Sequence, residues 1–169
     1  MSHPLSAGYI LREATIADIP QIHQLMTEMA TFEKLLDTFQ ATEQTLLDNI
    51  FTQPAAVNCL VICHQDAPEK LVSYIMWFHN YSSFRAKRGL YLEDIYIAPE
   101  HRRLGLGQQV LQYLARKALE LDCARFEWVV LDWNQSAIEF YEHLGASVLP
   151  DWRIVRIEGN ALTTLAQVS

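Results

Sequence analysis

The sequence is poor in the residues that build special scaffolds. Its three cysteines, Cys59, Cys63 and Cys123, are an odd number, and none sits in a CxxC pair with a downstream His or Cys at zinc spacing. Disulfide scaffolding and structural zinc are both disfavoured, and no metal site is expected. Glycine and proline number only six each, which excludes collagen-like, low-complexity and extensively disordered chains. No apolar run approaches the roughly 18 residues of a membrane span, and the first ten residues lack the charged-then-apolar layout of a signal peptide. A cytoplasmic location with no membrane partner is therefore expected. Basic charge is short as well: 13 Lys and Arg stand against 20 Asp and Glu, a formal net charge of -7. Without a basic run to follow a phosphate backbone, nucleic acid is not an expected partner. An acidic surface attracts cations, so small amines or basic protein segments fit better.

What is present suffices for a core. Half of the 169 residues are hydrophobic, and the length suits one domain spanning 1–169. Thr15 to Asp18 can cap a helix that carries Ile19, Ile22, Met26 and Met29 at helical spacing. A second helix starts at Thr42, carries Leu46, Leu47 and Ile50, and stops before Pro54. Val110, Leu111, Leu114, Ala118 and Leu121 mark a third, and residues 136–143 a short fourth closed by Gly145. Strands are expected over residues 9–12, 58–63, 71–78, 90–97, 126–131 and 152–157. The early strands read as antiparallel neighbours and the later ones flank a helical crossover. The expected fold is a mixed α/β sheet, largely antiparallel and flanked by helices.

Two stretches carry chemistry. The strand over 90–97 contains Glu93 and Asp94, and adjacent carboxylates inside a half-buried strand call for a reason. After it comes Glu100-His101-Arg102-Arg103-Leu104-Gly105-Leu106-Gly107-Gln108-Gln109, a glycine turn leading into a helix. Glycines let backbone amides approach a ligand, the helix start adds partial positive charge, and arginines reach phosphate oxygens. The turn suits a pyrophosphate; read alone, it is equally a tight connection with solvated arginines. Neither GxxxxGK[ST] nor GxGxxG is present, since Val110 stands where the latter needs glycine.

Arg102-Arg103-Leu104-Gly105-Leu106-Gly107 resembles the R/Q-x-x-G-x-G/A acetyl-CoA motif of the GNAT superfamily of N-acetyltransferases. Leu92-Glu93-Asp94-Ile95-Tyr96-Ile97-Ala98-Pro99 in front of it, with Leu131-Asp132-Trp133-Asn134-Gln135 and Phe140-Tyr141-Glu142-His143-Leu144-Gly145-Ala146 behind it, is similar to the branch of spermidine/spermine and thialysine N-acetyltransferases. The resemblance extends from Ile10 to Arg153 and implies acetyl transfer from acetyl-CoA to a small primary amine by direct attack. It implies that Glu93 is the base, that Tyr141 protonates the leaving thiolate, and that the backbone of Ile95, Tyr96 and Ile97 binds the pantetheine arm. It also puts Arg102, Arg103, Leu104, Gly105, Leu106, Gly107 and Gln108 around the pyrophosphate and Asn134 on the pantetheine. Asn134 can equally cap the helix after it. A homodimer is implied too.

For the amine, the resemblance points to Glu28 and Glu33, and the placement of the carboxylates adds Glu93 and Asp94 as a pair that binds one ammonium while Glu28 or another acid binds a second. Five residues apart on an ideal helix, Glu28 and Glu33 lie on different faces, so Glu28 is the expected member. Glu28 and Glu93 also have plainer readings, Glu28 as a solvated helix face and Glu93 as an exposed strand carboxylate or an ion pair with Arg88. The stretch Tyr81 to Arg88 is basic, where polyamine enzymes carry an acidic residue and tryptophan. That favours a shorter amine, or an amino acid whose carboxylate meets Arg85 or Arg88. The alternatives are a protein lysine or N-terminal acetyltransferase and a catalytically silent acyl-CoA-binding regulator.

Overall fold

The computed structural model describes residues 2–167, and the chain divides into two compact units, residues 1–129 and 130–169. In the first unit, the described residues form one six-stranded sheet whose order follows the sequence. The strands are β1 (Ser2–Pro4), β2 (Tyr9–Glu13), β3 (Asn58–His64), β4 (Ala67–Ser82), β5 (Lys87–Ile97) and β6 (Phe126–Glu127). Neighbours pair antiparallel up to β5, and β6 alone runs parallel to its partner. The unit also holds helices α1 (Ile19–Phe32), α2 (Glu43–Phe51) and α3 (Leu106–Glu120).

β3 reads as an unbroken apolar run because both of its faces are covered. Cys59, Val61 and Cys63 pack with Ile19, Ile22 and Leu25 of α1 and with Leu46 and Ile50 of α2. Leu60 and Ile62, also buried, point to the opposite face. On that face Lys117 of α3 stands over the Trp77 ring at 5.4 Å, and α3 buries Leu106, Val110, Leu111, Leu114 and Ala118. The two expected core cysteines are buried thiols, and burial pushes Cys59 up to about 12, so it stays protonated and inert.

The start of α1 behaves as its sequence dictates. A single 3-10 turn, Ile16–Asp18, precedes it, and Asp18 Oδ2 accepts from Thr15 N at 2.7 Å and Thr15 Oγ1 at 2.8 Å. Arg12 grips both carboxylate oxygens at 2.7 and 2.9 Å. Burial is the largest influence on Asp18 and pushes its pKa up, but the bonds from Arg12 and Thr15 together hold it below the ordinary value. Thr42 caps α2 through the Thr45 amide at 3.1 Å.

Two strands differ from expectation. Residues 126–131 contribute only Phe126 and Glu127 to the ladder, opposite Leu90 and Tyr91, because the chain then parts from β5. In the second unit, residues 152–157 join no ladder among the described residues; a strand persists only against a partner. The described residues of this unit form α4 (Gln135–His143), with Gly145 at φ +88°, and α5 (Gly159–Ala166), which the sequence pattern did not announce.

Candidate functional site

β5 is where the site is built, and a β-bulge aims it. Met76 pairs with Asp94 and Trp77 with Leu92, which leaves Glu93 as the extra residue. Leu92, opposite Trp77, lies on the α3 face, whereas Tyr96 belongs to the cluster under α1 and α2. Without the bulge, positions 92, 94 and 96 would share one face; with it, Asp94 and Tyr96 are turned toward α1. Glu93 is left exposed, and no ion pair joins it to Arg88 among the described residues.

Asp94 thereby enters a cleft of about 260 Å³ beside α1, where Glu33, Tyr74, Met26, Met29 and Phe39 also line the walls; no lining residue is basic. The Tyr74 hydroxyl is 3.3 Å from Asp94 Oδ2 and 3.0 Å from Met29 Sδ. Burial, then the charges of Glu93 and Glu33, push the Asp94 carboxyl up to about 6, against the smaller opposing effect of the Tyr74 hydrogen bond. Burial also raises Glu33.

Glu33 reaches this cleft because it shares a helix face with Met26, Met29 and Ala30, which also line it. Glu33 is the C-cap residue, still helical in its backbone and with its amide bonded to Met29 O at 2.9 Å, and Lys34 follows in the left-handed region at φ +61°, so positions 28 and 33 stay on different faces as the spacing predicts. Glu28 is not among the lining residues; it accepts from the Tyr96 hydroxyl at 3.3 Å and from Gln24 Nε2 at 3.2 Å. The member of the pair that the helix argument set aside is thus the one beside Asp94. A helix-stop signal at Lys34 is absent from the sequence, since neither glycine nor proline marks it.

Along its other side β5 has no strand partner beyond Tyr91 among the described residues of the first unit, since pairing with β6 stops there, and Ala98 N donates to Val72 O on β4 at 2.9 Å. Antiparallel strands alternate the direction of their backbone groups, so Tyr96 directs its backbone to β4, while Ile95 and Ile97 direct theirs to that other side. Arg102 Nε donates to Ile97 O there at 2.7 Å. The Arg102 guanidinium also lies 5.4 Å from the Phe32 and Tyr96 rings, which ties the end of β5 to α1.

Beyond Arg102 the chain makes the expected turn. Arg103 at φ +64° and Gly105 at φ +77° are left-handed, and α3 starts at Leu106 with no side-chain cap and no acidic residue in its first turn. The amides of Leu106, Gly107 and Gln108 precede the first intrahelical bond, Gln109 N to Gly105 O at 3.1 Å, and form an anion-favouring helix start. Leu106 is 1% exposed as a whole residue, so its side chain anchors the turn in the core, whereas Arg103, Leu104 and Gln108 are exposed. Three contacts missed by sequence reasoning brace this turn. Ser6 N donates to Gln109 Oε1 at 2.9 Å, Gln109 Nε2 donates to Ser6 Oγ at 2.7 Å, and Ser6 Oγ donates to Leu104 O at 2.8 Å.

The basic stretch Tyr81 to Arg88 forms the tip of the β4–β5 hairpin. With about 3.3 Å of rise per residue, Arg88 lies roughly 20 Å along β5 from Asp94, too far to meet the carboxylate of a small amine held there. In the second unit, Asn134 is the N-cap residue of α4 but makes no side-chain cap; its Oδ1 accepts from Ser136 Oγ at 3.3 Å. Tyr141 lies in the last turn of α4, its ring 5.4 Å from that of Phe140. No described helix is long and apolar enough to cross a membrane.

Comparison with known proteins agrees with this arrangement. Residues 19–146 match the model of the acetyltransferase (GNAT) family. An L-ornithine N5-acetyltransferase of Arabidopsis thaliana is 34% identical over 94% of this chain and 88% of its own. A thialysine N-epsilon-acetyltransferase of Sus scrofa is 35% identical over 95% of this chain and 98% of its own. Among solved structures, an integron cassette protein from the mobile metagenome of V. cholerae has the same fold, with a TM-score of 0.77 at 20% identity over 96% of this chain and 100% of that one.

Proposed function

Because the chain belongs to the GNAT family of N-acetyltransferases, enzymes that draw acetyl from acetyl-CoA, we propose that it acetylates a primary amine of a small diamine, polyamine or basic amino acid. The observation that carries this reading is the cleft, where Glu33 and Asp94 set two carboxylates among apolar walls with no basic residue beside them. Such a pocket attracts an ammonium and gives its methylene chain an apolar lining. The relatives named for L-ornithine and thialysine support a basic amino acid. Since no cation lines the cleft, the carboxylate of such a substrate stays outside it.

The side of β5 away from β4 supports a pantetheine arm added like a strand on Ile95 and Ile97, with an amide there polarising the thioester oxygen. The α3 start supports a pyrophosphate held by the backbone from Arg103 to Gln108. Arg102 contributes by anchoring the turn to Ile97, and its cation adds to the positive field. An alkylammonium has a pKa near 10.4, so its proton must leave before attack, and the Glu93–Asp94 pair receives it. The amine nitrogen then bonds to the acetyl carbon, the C–S bond breaks, the thiolate takes a proton from Tyr141, and the second proton that the nitrogen sheds as the amide forms returns to the Tyr141 phenolate. The reference pKa of a phenol, near 10, suits that role at neutral pH. The roles of Tyr141 and of Asn134 on the pantetheine rest on their places in the family motifs.

The proposal includes a cytoplasmic homodimer that acts without nucleic acid or membrane; the net charge of -7 supports the exclusion of nucleic acid, and sedimentation of the purified protein reads the oligomeric state. The central test is thiol release from acetyl-CoA against spermidine, spermine, short diamines, ornithine, thialysine, lysine and a lysine peptide. Release with small amines is expected, and their rank order separates diamine from amino-acid specificity. Activity confined to the peptide would refute the reading.

A further inference from the structure

In the cleft one proton faces two acceptors. The Tyr74 hydroxyl lies 3.3 Å from Asp94 Oδ2 and 3.0 Å from Met29 Sδ, and a phenol has a single O–H to give. An ionised carboxylate is a much stronger acceptor than a thioether, so while Asp94 is charged the hydroxyl donates to it. Once Asp94 is protonated, the carboxyl can donate to the phenol oxygen, and the phenol O–H turns to the sulfur. Neither state strands a buried hydroxyl.

The surroundings of Asp94 make this choice consequential. Glu93 beside it on β5 and Glu33 at the end of α1 disfavour its charge, Tyr74 on β4 favours it, and the Cys59 thiol on β3 is neutral. The 38–41 segment contributes Thr38, Phe39, Gln40 and Ala41 to the wall and no charge. Resting on the acetyltransferase reading above, we propose that Asp94 is the carboxylate that takes the amine's proton, and that Tyr74 is its positioning residue, a two-way donor that turns to Met29 as the proton arrives. The ammonium N–H bond breaks, an O–H bond forms on Asp94, and the electron pair stays on nitrogen for attack. The proton leaves to solvent through the cleft after turnover.

The experiment is the pH dependence of kcat/KM for the amine in three variants. Tyr74→Phe keeps the ring and removes the donor to charged Asp94, so the acid limb moves up by about half to one pH unit. Met29→Leu keeps the volume and removes the second acceptor, so the limb moves down by a smaller amount. Asp94→Asn abolishes the limb. Where its turnover is too low to follow, the pH dependence of its unfolding free energy against wild type reads the same carboxyl without activity. A limb that persists in Asp94→Asn overturns the assignment of Asp94 and the proposal with it. A limb that depends on Asp94 but is unmoved in Tyr74→Phe, or that moves upward or not at all in Met29→Leu, overturns the switch alone. Absence of acetyl transfer to any amine by wild type, with the stability linkage of Asp94 intact, overturns the functional reading instead.

Discussion

Asp94→Asn should leave the protein poorly active and more stable, with a gain that depends on pH in a defined way. Burial and two neighbouring carboxylates lift Asp94 from an ordinary 3.8 to about 6. Each pKa unit is worth about 1.36 kcal/mol, so keeping this carboxylate charged in the fold costs about 3 kcal/mol at pH 7. A group raised in the fold stabilises most below its unfolded value and loses that contribution as pH rises through its folded value. The advantage of the amide variant is therefore greatest above pH 6. Linkage puts it at about 3 kcal/mol at pH 7, about half that at pH 5, and under about 1 kcal/mol at pH 4. Asn keeps an acceptor for Tyr74, so the loss of charge assistance there removes about 1 kcal/mol from the gain. For a chain of 169 residues, a net 2 kcal/mol corresponds to roughly 4–8 °C in Tm. Urea unfolding followed by circular dichroism at pH 4, 5, 7 and 8 measures it. A gain that does not change with pH, or a loss at pH 8, would refute the reasoning.

Gly105→Ala forces an L residue to hold φ +77° while its added Cβ meets Gln109 Nε2 at an ordinary 3.5 Å; strain alone should cost about 1–2 kcal/mol in urea unfolding, and an unchanged midpoint would count against it. Ser6→Ala and Gln109→Met should each weaken CoA binding about three- to tenfold in calorimetry by loosening the turn. The double variant should be little worse than either single one; unaltered affinity in all three would remove Ser6 and Gln109 from the turn's support. Tyr141→Phe should lower kcat by at least about tenfold while CoA affinity is kept, and equal kcat with chemistry as the limiting step would end the proton-donor role.

Much of the fold was legible because it rests on local rules. Thr15 with Asp18 and Thr42 with Thr45 announce helix starts through side chains that satisfy nearby amides. The unbroken apolar run in β3 and the helical spacing in α3 report which faces are covered. Gly105 lies where the chain must turn left-handed. Less legible were the ends and the irregularities. Residues 152–157 have strand composition but join no ladder among the described residues, and of residues 126–131 only Phe126 and Glu127 pair with β5, since pairing depends on a partner elsewhere in the chain rather than on the segment's own residues.

The sequence by itself determined the family, through the motif around Gly105 and Gly107, and with it the class of chemistry. It also determined the succession of elements and the supply of carboxylates. Only the tertiary structure decided which carboxylates meet. One unpaired residue, Glu93, flips the face that Asp94 presents, and the face of α1 that carries Met26, Met29, Ala30 and Glu33 packs beside it to form the cleft. Both outcomes depend on register and on packing between segments far apart in the chain; a periodic pattern along one segment shows which side chains share a face but not what that face meets.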